Sequence, residues 1–576
     1  MDKPWLKHYE PGVPANIFYP RVPLHHFLEE AARKYPNHTA LIFHDAKITY
    51  QQLNALVDKF ASALINLGVK KGDRVALYLP NCPQFVLGFY GALKAGAVAV
   101  PINTLYVERE VQHQLNDAGA ETILVLSRYY PLIQKIRAQT SLKNVIATNI
   151  KEYFTPLERT RFTLTREQQE GHRVTLAEGD RWLPNLLGWS PAAPRVIVEP
   201  EDTAIFQYTG GMTGVPKAAM GTHRNLVANS LQLRAWFTDL RQGEEVVLAA
   251  LPFFHIYGLV FCLCFAVQAA GAMILMPRFE VGEALELIAS YRPTIFPGVP
   301  TMYVAINKHP QVTRYDIRSI RACLSGAAPL PVEVKNRFEQ LTGGKLCEAY
   351  GLSETPTATH CNPIRGLNKA GSIGLPLPDI ECRIVDLETG SKDVPVGEIG
   401  ELVLRGPNVM KGYWNMPQET RQVLRDGWLY TGDIARMDGD GYFYIVDRKK
   451  DIIIAGGFNI YPGEIEAVLG EHPKVQAAVV AGVPDEYRGE TVKAYVVLKP
   501  GEKATAEEIS EFCRQRLARY KVPTAIEFRT TLPKGTGKVL RRAIVEEERR
   551  QMAAPRARPQ QPPEWLADEE PVRWRR

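Results

Sequence analysis

No cysteine pairing signature, no strong charge of either sign and only one long apolar run occur in these 576 residues. Each absence removes a class of protein. The eight cysteines (Cys82, Cys262, Cys264, Cys323, Cys347, Cys361, Cys382 and Cys513) form no CxxC pair and no Cys/His metal spacing, which excludes a disulfide scaffold or zinc module and fits buried free thiols in a reducing cytoplasm. A net charge of +6 is too small for this length to supply the concentrated basic face that nucleic acid requires. The first residues, Met1-Asp-Lys-Pro-Trp-Leu-Lys-His8, lack the apolar core of a secretory signal, so a cytoplasmic location is expected. The apolar run, Tyr257 to Met276, has the length of a membrane span, but Gln268 and Ala270-Gly271-Ala272 break it. It predicts a buried helix over Leu259 to Ala269, a turn at Gly271 and a buried strand over Met273 to Met276. Nothing specifies an oligomeric state.

The length exceeds one ordinary core, so two or more domains are expected. Helical periodicity over Leu24 to Tyr35, Tyr50 to Leu67 and Gln84 to Ala95 alternates with short apolar strands at Arg74 to Leu79 and Ala97 to Val100. That alternation predicts an α/β fold with parallel strands. Ala95-Gly96-Ala97 is faintly echoed by Ala270-Gly271-Ala272, which suggests two similar α/β subdomains side by side. Residues 150–195 read as a charged, extended surface insertion. From about Gly371 to Tyr444 the texture changes to short β runs, predicting a small β barrel or curled sheet. Asp438-Gly-Asp-Gly441 resembles part of a calcium loop but lacks the remaining ligands, so a hairpin turn is expected. A large N-terminal domain over 1–446, a short charged link over 447–451 and a small α+β domain over 452–550 follow. The tail, 551–576, is rich in Pro, Arg and Glu and is expected to be disordered.

The most informative stretch runs from Tyr208 to Lys217: Tyr208, Thr209, Gly210, Gly211, Met212, Thr213, Gly214, Val215, Pro216 and Lys217. Glycines uncover backbone N–H groups, threonine hydroxyls donate, and one lysine adds positive charge, which together suit a triphosphate. It is not the GxxxxGK[ST] loop. Alone, it fits both a phosphate cradle and an ordinary Gly/Thr surface turn.

Five further segments stand in order behind it: Leu251-Pro-Phe-Phe-His255-Ile-Tyr-Gly258; Ser325-Gly326-Ala327-Ala328-Pro329; Tyr350-Gly351-Leu-Ser353-Glu354-Thr355; Tyr430-Thr-Gly-Asp433 with Asp447 and Arg448; and Leu532-Pro-Lys-Gly-Thr-Gly-Lys538. With the opening loop they resemble the adenylate-forming superfamily, and within it the bacterial long-chain fatty acyl-CoA synthetases, over roughly residues 20–545. The resemblance implies an AMP-forming ligase: ATP and a fatty acid give acyl-AMP and pyrophosphate, then coenzyme A takes the acyl group. It implies that Thr213, Lys217, Glu354 and Lys538 are catalytic, with Mg²⁺ on Thr213 and Glu354, and that the loop residues hold ATP. It implies that the small-residue turn at Gly326, Ala327 and Ala328 lies against adenine beside Tyr350, Gly351 and Ser353. Asp433 and Arg448 would take the ribose, His255 would line the acyl pocket, Lys450 would be the hinge, and Gly456 and Gly457 would border the pantetheine tunnel. Met212 stands where the family usually has threonine, and the Lys538 loop is one residue shorter than the commonest version. Trp236 is read both as an acyl-tunnel gate and as a packed aromatic. Two alternatives stay open: a ligase for aryl or shorter carboxylates, or a catalytically weak acyl-nucleotide binding protein. Peripheral contact with the inner membrane face is compatible with a fatty acid substrate.

Overall fold

The computed structural model describes residues 3–188, 196–209, 216–387, 389–448, 453–460, 462–532, 544, 547 and 548. The predicted α/β alternation folds into a seven-stranded sheet. Its order is Arg181–Trp182, Asn144–Thr148, Thr122–Leu126, Arg74–Tyr78, Val98–Pro101, Thr203–Thr209 and Lys217–Thr222. All pairings are parallel except the last, where Thr209 faces Lys217 across an antiparallel pair. The strands read as unbroken apolar runs because helices cover them.

A second layer begins with Val246–Ala249, Ala272–Leu275, Thr39–Phe43 and Ala46–Thr49, in that order. It continues through isolated bridges at Ile295 to Ala322–Ser325, Lys345–Leu352, Thr357–Cys361 and Leu375–Pro376. The paired-subdomain expectation is therefore met. The helix Pro83–Lys94 is buried at every position. Its glycines let it press close to its neighbours: a Cβ on Gly88 would meet Leu124 at 2.7 Å, and one on Gly91 would meet Phe60 at 2.6 Å. Asn81, just before it, donates to the carbonyls of Ala249 and Leu251 and accepts from the Phe253 amide, tying one layer to the other.

One expectation needs correction, and one gains a detail. Over its described part, 150–188, the segment 150–195 is not an extended insertion: it carries a helix, Pro156–Thr165, an edge strand, Arg181–Trp182, and a short helix, Leu183–Leu187, with Phe154, Phe162, Leu183 and Leu186 in the core. The buried helix after His255 is π-helical over Gly258–Cys264 and α-helical over Phe265–Gln268. A Cβ at Gly258 would lie 2.3 Å from the Pro252 carbonyl oxygen, so the turn that starts it requires glycine. The strand that follows is Ala272–Leu275. Among the described residues no helix is long and apolar enough to cross a membrane, and all eight cysteines are free and buried.

The β texture after Gly371 is a five-stranded antiparallel sheet built on Glu381–Val385, Gly400–Arg405, Trp428–Met437, Leu424–Arg425 and Phe443–Arg448. Asp438 to Gly441 is the hairpin turn between two of these strands, and Asp438 and Asp440 both accept from Lys369. Asp447 and Arg448 are the end of a strand rather than part of a link. A smaller α+β unit follows, with Ile453–Ala455, Phe458–Ile460, Val475–Asp485, Gly489–Leu498 and Ala525–Phe528 in one sheet. The helices Pro462–Gly470 and Ala506–Arg514 pack on a separate core that includes Ile465, Leu469, Val496 and Ile509. The tail 551–576 lies outside the described residues.

Candidate functional site

The glycine-rich segment closes the hairpin between Thr203–Thr209 and Lys217–Thr222. Gly210, Gly211, Met212, Thr213 and Gly214 lie outside the described residues, as do Lys450 and Lys538. The hairpin's flanks are built in detail. Tyr208 commits its hydroxyl to the Asp117 carboxylate at 2.6 Å. Burial, then that carboxylate, pushes its pKa well above the usual phenol value. Gln207 donates to the Phe254 carbonyl, so the strand leading into the loop is fastened to the segment that carries His255.

Lys217 opens the second strand of the hairpin, which continues by pairing with residues 411–414. Met220 donates to the Gly412 carbonyl, Lys411 to that of Met220, and Trp414 to that of Ala218. This pairing sets Tyr413 beside Lys217. The Lys217 ammonium lies 5.4 Å from the Tyr413 ring centroid, within cation–π range. The Tyr413 hydroxyl donates to Glu354 Oε1 at 2.6 Å, and the Met410 amide donates to the Glu354 carbonyl. Lys217, Tyr413 and Glu354 therefore form one constellation. Tyr413 was missed from the sequence. Its aromatic Gly-Tyr-Trp setting is the only local signal, and only the strand pairing reveals its partners.

Tyr350 and Glu354 flank a backbone that no other residue type fits at Gly351. A Cβ there would lie 1.4 Å from the Thr357 carbonyl oxygen. Thr355 closes the turn, its Oγ accepting from the Leu352 amide. Ser353 sits half-buried within it. Tyr350 donates to Asp433 Oδ2 at 2.5 Å, and Asp433 is paired in register with Arg448. The buried Asp433 carboxylate is thus held by the Tyr350 hydroxyl.

The small-residue turn follows the strand Ala322–Ser325, whose last residue is bridged to Gly298. A Cβ on Gly326 would meet the Tyr257 ring at 3.1 Å, and the Tyr257 hydroxyl donates to the Leu324 carbonyl. Ala327 holds φ = +69°, a left-handed backbone uncommon outside glycine and recurrent at functional turns. Ala328 is half-buried beside it. His255 lies two residues before Tyr257, whose amide donates to His255 Nδ1. Its ring is half-exposed, yet protein surrounds it closely enough that burial pushes its pKa down to about 4. It is neutral at physiological pH. Trp236 is fully buried, donates to the Asn362 carbonyl and meets Tyr9 edge-on, so it is a packed core aromatic.

Gly456 and Gly457, both with positive φ, turn between the first two strands of the smaller unit. A Cβ on Gly457 would touch Val299 at 3.0 Å. Val299 adjoins Gly298 at the small-residue turn, so this glycine turn lies against the rim of the site.

Residues 28–414 match the family of AMP-binding enzymes, and 464–538 match the C-terminal domain of AMP-binding enzymes. The chain is 46% identical over 551 residues to a long-chain-fatty-acid–CoA ligase of Bacillus subtilis (strain 168), covering 95% of this chain and 98% of the relative. It is 36% identical over 512 residues to a feruloyl-CoA synthase of an Amycolatopsis species, covering 88% and 96%. Among solved structures it resembles o-succinylbenzoate CoA synthetase from Bacillus subtilis bound with a product analogue, with a TM-score of 0.74, 28% identity and coverage of 92% and 99%. It also resembles ATP-bound MatB from Rhodopseudomonas palustris, with a TM-score of 0.66, 30% identity and coverage of 91% and 99%.

Proposed function

The chain belongs to the AMP-binding enzyme family, and we propose that it is a long-chain fatty acid–CoA ligase that forms acyl-AMP from ATP and then acyl-CoA. One observation carries the reading beyond kinship. The strand ends at Thr209 and Lys217, with Tyr413 and Glu354, lie in one strand-paired unit, and Tyr350 joins that unit to Asp433. This is the arrangement needed to hold a triphosphate at one end and a nucleoside at the other.

The residues fit Mg²⁺. Among the described residues no group of three or more His, Cys, Asp or Glu forms a metal cage. Magnesium characteristically binds one or two carboxylates and completes its shell with water and substrate phosphates. Glu354 is that carboxylate, fixed by Tyr413, and Thr213 is the hydroxyl assigned to join it. Bound there, Mg²⁺ supplies charge neutralisation to the phosphates.

The fatty carboxylate oxygen attacks the α-phosphorus, and the bond from that phosphorus to pyrophosphate breaks. Lys217, the loop amides and Lys538 hold the charge that develops on the phosphate oxygens and leaving group. His255, neutral at physiological pH, borders the carboxylate without neutralising it by ion pairing. In the second step the coenzyme A sulfur attacks the acyl carbon, the acyl C–O bond to AMP breaks, and the thiol proton leaves to solvent. We assign this step to a rotation of the small domain about Lys450 that withdraws Lys538 and brings Gly456 and Gly457 to the site.

Pyrophosphate release across acids of increasing length, with and without coenzyme A, tests the reading. Long-chain acids should give the highest kcat/KM, with thioester formed only when coenzyme A is present. A preference for hydroxycinnamates would favour the aryl reading that the feruloyl-CoA synthase likeness raises. No acid-dependent release would favour a binding protein. Membrane association is read by flotation with anionic vesicles.

Met212 offers a further check. A threonine hydroxyl gives the triphosphate one more donor, and hydrogen bonds to charged groups contribute about 1.5–3 kcal/mol. Met212→Thr should therefore lower the ATP KM of the adenylation step by roughly tenfold. An unchanged KM would mean that the backbone amides alone serve the phosphates there.

A further inference from the structure

The small domain rests on the residues just before and at the start of the helix Glu108–Ala118, and a buried charge marks the contact. Lys521 is 3% exposed. Its ammonium donates to Glu110 Oε1 of the large domain and to Glu464 Oε1 of its own domain, both at 2.7 Å. It also sits 4.6 Å from the centroid of the Tyr106 ring. Three groups from two domains thus share one dry site. Around it, Arg109 makes a bidentate pair with Glu471 at 2.6 and 2.7 Å, and Asn103 donates to the Tyr520 hydroxyl.

The contact reaches the glycine turn through stacked rings. Tyr520, the neighbour of Lys521, stacks on Phe458 with centroids 4.4 Å apart. Phe458 follows Gly457 directly, and Gly457 packs against Val299 at the rim of the site. A shift of Lys521 relative to Glu110 would therefore move the 456–457 turn off the site.

We propose that Glu110 and Lys521 are positioning residues that latch the small domain in the orientation used for acyl transfer to coenzyme A. The proposal rests on the two-step reading above. It follows from where the cost of separation falls. Glu464 moves with Lys521, so of the two carboxylates on Lys521 rotation of the small domain removes Glu110, and Arg109–Glu471 and Asn103–Tyr520 part with it. Separation forfeits the charge-assisted bond between Glu110 and Lys521, which is made where little solvent screens it. The exposed Arg109–Glu471 pair, screened by solvent, contributes little by comparison.

Glu110→Gln is the informative substitution. It keeps an oxygen to accept from the Val107 amide, the bond that Glu110 Oε2 makes at the helix start, and it removes the charge that binds Lys521. Acyl transfer from supplied acyl-AMP to coenzyme A should fall about tenfold, with acid-dependent pyrophosphate release in a single turnover unchanged within about twofold. Spin labels at Gln139→Cys and Glu502→Cys, one on each domain, report the orientation directly, since the native cysteines are all buried. Their distance distribution in coenzyme A should broaden in Glu110→Gln. Equal loss of both half-reactions, or an unchanged distance distribution, overturns the latch. A wild-type chain that releases no acid-dependent pyrophosphate counts instead against the ligase reading, and the label distances then decide the latch by themselves.

Discussion

Replacing Glu354 by glutamine is expected to slow acyl-AMP formation by about a hundred- to a thousandfold, the range for losing one preorganised electrostatic partner in an enzyme site. The substitution is nearly isosteric. Gln keeps an oxygen to accept from the Tyr413 hydroxyl, and the Met410 bond goes to the backbone carbonyl, which is untouched. The melting temperature should move by no more than a few degrees. The Mg²⁺ concentration for half-maximal rate should rise, because the one protein carboxylate of the proposed site has lost its charge. Single-turnover pyrophosphate release with a Mg²⁺ titration measures both quantities. An unchanged rate at low Mg²⁺ would remove Glu354 from the chemistry. Tyr413→Phe separates support from chemistry: it leaves the carboxylate charged but unanchored by the phenol, so a smaller loss is expected than for Glu354→Gln.

The parts of the site legible in the sequence are those whose chemistry is local. Tyr350, Gly351 and Glu354 stand together in one short segment that the resemblance picks out, whereas the reason for Gly351, a Thr357 carbonyl that leaves no room for a Cβ, appears only in the fold. The alternating strands and helices of the N-terminal layers are similarly local, since an apolar run of four or five residues ending at a proline has few other uses. What stayed hidden depends on residues far apart in the chain. Tyr413 meets Glu354 across 59 positions, and Lys521 meets Glu110 across 411. No periodicity predicts either. The helix after His255 was legible as buried helix, but its π pitch over Gly258–Cys264 was not, because its apolar run carries no polar face to betray the pitch. The 150–195 segment misled for the opposite reason: its charged residues mask a few buried aromatics and leucines that fasten it to the sheet.

Lys538→Ala should give the mirror image of Glu110→Gln. By resemblance Lys538 meets the charge that develops as pyrophosphate leaves, a demand that ends once acyl-AMP exists. Acyl-AMP formation should then fall by roughly a hundred- to a thousandfold, with transfer from supplied acyl-AMP to coenzyme A nearly intact. The two variants touch the same small domain and predict opposite halves of the cycle to fail. A general loss of stability cannot produce that pattern, because an unfolded domain serves neither half-reaction. If Lys538→Ala impairs both steps equally, the lysine is holding the fold or the nucleotide throughout and the proposed withdrawal is wrong. If each variant loses only its own step, one domain carries two tools, and Glu110 decides how long the second stays at the site.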